Sequence, residues 1–268
     1  MLISTVLKQL TRRTLLLTIT LLILSSGQAQ VKKLVWADEF NYKGLPDSTR
    51  WSYDSGSGGW GNNELQYYTE KRKENARVEK GKLVIEARKE AYKGSSYTSA
   101  RLVSKNKGDW KYGRIEVKAK LPRGKGMWPA IWMLPTEKTE ADWPHNGEID
   151  IMEFVGYMPD SVFGTVHTGA YNHVQGTQKT KGVARKDLSK AFHVYAIEWT
   201  PEEIRFFVDK ELYSTFKNEH KSYEEWPFDA PFHLLLNIAV GGNWGGKYGV
   251  DNRIFPQRME IDYVRVYQ

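Results

Sequence analysis

From residue 31 onward, apolar and polar positions alternate in short runs. Gly, Pro, Asn and Asp interrupt them at intervals of roughly ten residues. A period of two is the signature of half-buried strands, and no stretch holds a helical period for long. Strands are predicted over 34–40, 82–88, 97–104, 110–120, 162–168, 192–199, 204–208, 212–216 and 260–267. Two further runs are apolar on both faces. Residues 126–135 read as a central strand or as the wall of a cleft, and 232–240 as a buried strand. Glycine-rich or polar stretches at 55–61, 169–187, 217–231 and 241–249 read as loops, with one helical turn at 222–226. The pattern predicts an all-β sandwich of two sheets. There is no internal repeat, heptad run, low-complexity tract or interdomain linker.

Residues 1–30 break the pattern. Lys8, Arg12 and Arg13 precede an apolar run over 15–24, and small residues follow at 25–29. The run is too short to span a bilayer comfortably, and the layout is that of a secretory signal cleaved near Ala29 or Gln30. The expectation is a secreted or periplasmic protein with a single domain over 31–268 and no membrane span after cleavage.

One predicted strand carries unusual chemistry. In 147–155 three carboxylates, Glu148, Asp150 and Glu153, interleave with Ile149, Ile151 and Met152. Side chains alternate faces along a strand, so Glu148 and Asp150 share a face while Ile149 and Ile151 point into the core. Glu153 lies at an odd offset from Glu148 and in a regular strand would face the core, where an unpaired carboxylate is costly. A one-residue β-bulge near Met152 returns it to the acidic face. Carboxylates on one wall can divide the work of glycoside hydrolysis, one attacking the anomeric carbon and one protonating the leaving oxygen. A solvated acidic face or a cation site has the same spacing.

Composition narrows the choice. The formal net charge of +7 is mild for 268 residues, and no basic run points to nucleic acid. There is no cysteine, which excludes disulfides and thiol chemistry, and no His/Cys cluster that would hold zinc. No serine elbow between strand and helix appears. Ten Trp and 15 Tyr suit a β-rich core, and their faces also suit the C–H faces of sugar rings.

The run Glu148-Ile149-Asp150-Ile151-Met152-Glu153 resembles the acidic signature of glycoside hydrolase family sixteen in its bulged form. The segments 60–69, 126–135 and 241–244 are similar to its laminarinase branch, the endo-β-1,3-glucanases. The resemblance implies a lectin-like jelly roll with a concave cleft and a retaining double displacement that needs no cofactor. It implies Glu148 as nucleophile, Glu153 as acid/base and Asp150 as the group between them that tunes proton sharing. It places Asn62, Arg101, Trp128, Trp132, His167 and Trp244 along a β-glucan chain, with the two tryptophans of 126–135 as a platform for adjacent sugars. It also implies a structural Ca²⁺ held by Glu39, the Gly81 carbonyl and Asp262. The protein is expected to be a monomer. Mixed-linkage glucan and agar-type galactan are the alternative substrates, and a non-catalytic glucan-binding lectin is the alternative class.

Overall fold

A computed structural model describes residues 33–137 and 142–268. The signal expected over 1–30 lies outside the described residues. The described chain is built almost wholly from strands. The first six are β1 (Leu34–Asp38), β2 (Ser52–Asp54), β3 (Gln66–Tyr68), β4 (Ala76–Glu79), β5 (Lys82–Tyr92) and β6 (Ser95–Ser99). Then come β7 (Arg101–Val103), β8 (Asp109–Trp110), β9 (Gly113–Lys120), β10 (Met127–Pro135), β11 (Glu148–Glu153) and β12 (Ser161–His167). The last six are β13 (Lys179–Ala184), β14 (His193–Trp199), β15 (Glu203–Val208), β16 (Glu211–Lys217), β17 (Phe232–Val240) and β18 (Gln257–Tyr267).

Two sheets face each other. One runs β16-β15-β14-β9-β18-β5-β6-β3, with β1 added on β18 and β4 on β5. The other runs β13-β12-β11-β10-β17-β7-β2, with β8 added on β17. Every pairing is antiparallel except β3 with β6. The core lies between them: Ile115, Val117 and Ile197 from the first sheet belong to the same buried cluster as Ile131, Ile149 and Leu236 from the second. This is the all-β sandwich of two sheets expected from the alternation, and it agrees with the jelly roll that the resemblance implies.

The double-faced apolar runs form the middle of the second sheet. β10 and β17 pair without a break from Met127↔Val240 to Pro135↔Phe232. Met127, Ile131 and Met133 point into the core, while Trp128, Trp132 and Leu134 stay half-buried on the outer face. A strand with core on one side and a ligand groove on the other has no need of polar residues on either face. So 126–135 is both a central strand and a cleft wall.

Three boundaries differ from the alternation pattern. The run 97–104 is split at Ala100 into β6 and β7, which serve different sheets. No Gly or Pro marks the break, and only the sandwich decides where the chain changes layers. The polar stretch 169–187 contains β13, paired with β12 from Ser161↔Ala184 to Val166↔Lys179. An edge strand exposed to water has no apolar stripe to betray it. The short β2, β3 and β4 also lack enough residues to show a period. The expected turn near 222–226 is present, with Trp226 N–H donating to the Ser222 carbonyl at 3.2 Å.

Candidate active site

β11 carries the bulge. On the β10 side, Ile131 pairs with Met152 and the next residue, Trp132, with Asp150, so Ile151 is the extra residue. On the β12 side the register slips between Asp150↔Thr165 and Glu153↔Phe163. Ile149, Ile151 and Met152 are all buried in the core cluster, and two consecutive inward side chains are what turns Glu153 outward again. Gly147 sets the entry to the strand at φ +86, where a Cβ would come within 2.8 Å of Pro227 Cγ.

The three acids meet at the floor of a groove, and their surroundings keep protons on two of them. Asp150 is only 2% exposed, and burial followed by the charges of Glu148 and Glu153 holds its carboxyl well above the usual range. Burial also raises Glu148. The neighbouring Asp150 and the Trp143 indole, whose N–H donates to Oε2 at 2.8 Å, work in the opposite direction. Of this coupled pair, Asp150 is held the further above its ordinary range, which favours the proton on Asp150 over Glu148. Glu153 is pushed up to about 8, first by burial and then by the charge of Glu148. The Trp128 indole N–H donates to its Oε1 at 3.0 Å. His167, opposite Glu148 on β12, has Nε2 3.4 Å from Asp150 Oδ2 and 4.0 Å from Glu148 Oε1. Burial, then the neighbouring His173, lowers its pKa to about 4, so it stands neutral beside the acids.

Two arms open from this floor. The larger, a cavity of 610 Å³, holds Asn62, Arg101, Trp132 and Glu148. The second, of 320 Å³, holds Asn62, Trp128, Glu148, Glu153, His167 and Trp244. All nine residues expected to act on or bind a sugar thus line one continuous groove, Asp150 through a small pocket of 70 Å³ between the arms. Trp132 and Trp128 do not make a single platform. The Trp132 ring stacks under the Arg101 guanidinium, 4.6 Å from its centroid, in the first arm. Trp128 meets the edge of Trp244 at 5.7 Å in the second. Strand spacing put both on one face, but the acids stand between the arms they line. Arg101 is not a solvated surface residue: it lies between the rings of Trp60 and Trp132 with Nε 3.0 Å from Asp54.

Other groove residues were not singled out in the sequence. Trp143 reaches Glu148 from the loop before β11, and His173 borders both arms from the loop after β12. Loop residues carry no period, so only the fold brings them in. Glu64, Gln66, Tyr68 and Asn237 form a polar chain behind Trp132. Gln66 and Tyr68 donate to Glu64 Oε2 at 2.6 and 3.1 Å, Asn237 donates to the Tyr68 hydroxyl at 3.0 Å, and Trp132 donates to Asn237 at 2.7 Å. β3, which carries Gln66 and Tyr68, is too short for its spacing to signal them in the sequence.

The implied calcium ligands are arranged differently. Both oxygens of Glu39 accept from Arg265, at 2.7 and 3.0 Å, and Asp262 pairs with Lys118 at 2.8 Å. Gly81 occupies the β4–β5 turn. A cation held by Glu39, the Gly81 carbonyl and Asp262 would take the place of these two partly exposed ion pairs.

A groove on a sandwich sheet, floored by two glutamates with a buried aspartate between them and walled by tryptophans, is the equipment of a glycoside hydrolase. The chain belongs to the family described as glycosyl hydrolases family 16, which matches residues 63–265. It is 56% identical to a β-glucanase of Rhodothermus marinus over 98% of this chain and 96% of that one. The solved laminarinase of Rhodothermus marinus aligns with a TM-score of 0.87 and 59% identity, covering 88% of this chain and 97% of the other. A protein described as a non-specific endo-β-1,3(4)-glucanase of the same family aligns with a TM-score of 0.85 and 51% identity, covering 88% and 91%. A non-catalytic lectin is thereby set aside.

Proposed function

We propose that this protein is a secreted, monomeric, endo-acting β-1,3-glucanase that works by retaining double displacement. Glu148 attacks the anomeric carbon while Glu153 gives its proton to the departing glycosidic oxygen. Water then enters, Glu153 takes a proton from it, and the glycosyl–Glu148 ester is cleaved with net retention. Asp150 keeps its own proton and donates toward Glu148, which steadies the nucleophile's charge between attacks. No step requires a cofactor. A groove open along two arms admits an unbroken polymer, which favours cutting inside a chain.

The observation that carries this reading is the bulge at Ile151, which returns Glu153 to the wall that carries Glu148. The substrate follows from the laminarinase and β-glucanase relatives. Glu148→Gln is expected to bind laminarin and release no sugar, as read by affinity electrophoresis and a reducing-end assay. Full turnover in that variant would refute the assignment. Mixed-linkage β-1,3-1,4-glucan is a second substrate reading, favoured by the relative described as non-specific. Chromatography of products from laminarin, lichenan and agarose separates the readings. Agarose degradation with inert laminarin would reverse the choice.

A further inference from the structure

The first arm extends beyond the residues that the reaction uses. Met133 pairs with Ile149, which puts Leu134 beside Glu148, and Leu134 pairs in turn with His233 on β17. His233 therefore stands two strand spacings, roughly 10 Å, to the side of the nucleophile. It lines the same 610 Å³ cavity as Glu148. His233 is 5% exposed, and its Nδ1 is buried with no hydrogen-bond partner among the described residues. A buried polar atom left without a partner is costly unless something else supplies one.

Lys105 lines the cavity next to it. It has no carboxylate or hydrogen-bond partner among the described residues. Its turn is rigid: Lys107 and Gly108 both donate to the Ser104 carbonyl at 2.8 Å. Ser104 is fastened to β17 by its N–H to the Leu234 carbonyl at 2.9 Å and by its Oγ, which accepts from Leu234 N–H at 2.9 Å. Lys105 is close enough for its charge, after burial, to help lower the His233 pKa to about 4. The imidazole is thus neutral in the working range and can donate or accept a hydrogen bond. Between this pair and the acids, Trp132 and Leu134 provide a half-buried apolar floor.

We propose that Lys105 and His233 form a distal binding station for one further neutral sugar unit of the glucan chain. The apolar floor takes the C–H face of the ring, and the ammonium and imidazole take its hydroxyls. The station rests on the β-glucan reading and assigns it a chain-length preference. Binding energy collected there contributes to catalysis only for substrates long enough to reach it.

The test uses a ladder of β-1,3-gluco-oligosaccharides with the full-length protein and Lys105→Ala, a substitution on an exposed turn. His233→Gln serves as the second variant. In the wild type, kcat/KM is expected to step up when the chain first reaches the station. In Lys105→Ala the step should shrink by roughly tenfold, the scale of one hydrogen bond to a charged group. Calorimetric binding of the same ladder to Glu148→Gln, with and without Lys105→Ala, reads the step without turnover. A wild type that degrades laminarin while Lys105→Ala keeps its length profile, or loses activity equally at every length, overturns the station alone. A wild type inert on laminarin overturns the β-glucan reading and the station with it.

Discussion

At the scale of single residues, the site works because burial and hydrogen bonds assign different protons to like groups. Glu153 must carry a proton to act as acid, and burial together with Glu148 sets its pKa at about 8. The alkaline limb of the kcat/KM profile on laminarin is therefore expected near pH 8, falling as pH rises through it. Glu153→Gln should lower kcat by roughly 10²- to 10⁴-fold on glucan. It should lose much less on an aryl glucoside whose leaving group needs no proton, and an equal loss on both would remove Glu153 from the acid role. Trp143 acts on the other glutamate. Its indole N–H favours the ionised form of Glu148. Trp143→Phe should raise the Glu148 pKa and move the acid limb of the profile upward, with the alkaline limb left in place.

At the scale of elements, a single extra residue decides the chemistry. Ile151 and Met152 both face the core, and their burial is what pays the bulge's lost pairing. Ile151→Ala is expected to cost about 2–5 kcal/mol by denaturant unfolding, the range for emptying a buried aliphatic site. Activity at a temperature where the variant stays folded reports whether the bulge survives. β13 presents a different case. It closes the second sheet with Lys179, Thr180 and Lys181, all exposed. Lysines on an exposed edge oppose pairing with another chain. Lys179→Val combined with Lys181→Val should leave the fold intact and raise aggregation, measured by light scattering at fixed concentration.

At the scale of the whole molecule, the active site sets a pH dependence on stability. Glu153 has a folded pKa of about 8 against a model-peptide value near 4.5. Between these values the folded state holds a proton that the unfolded chain has released. Stability from this group is full below the unfolded pKa and is lost as pH rises toward 8. Glu153→Gln removes that dependence, so its melting temperature should exceed the wild type's by a margin that widens from pH 5 to pH 8. A constant margin would mean that Glu153 is not protonated in the folded protein. The same arrangement that prepares a proton for transfer thus weakens the fold in alkaline solution.

Much of this was legible in the residues themselves. Alternation in short runs specifies an all-β sandwich because a strand with one wet face must repeat every second residue. The odd offset between Glu148 and Glu153 specifies a bulge because a buried unpaired carboxylate is too costly to keep. What the chain order could not carry was proximity between distant loops. Trp143, His173 and Lys105 reach the groove because the loops that carry them adjoin β11, β12 and β7, which the second sheet gathers into one layer around β10 and β17. The separation of Trp128 from Trp132 into two arms, and the capture of Glu39 and Asp262 by Arg265 and Lys118, are likewise decided by neighbours far away in sequence. A strand's own pattern fixes which way its side chains point, but only the packed sheets fix what each of them meets.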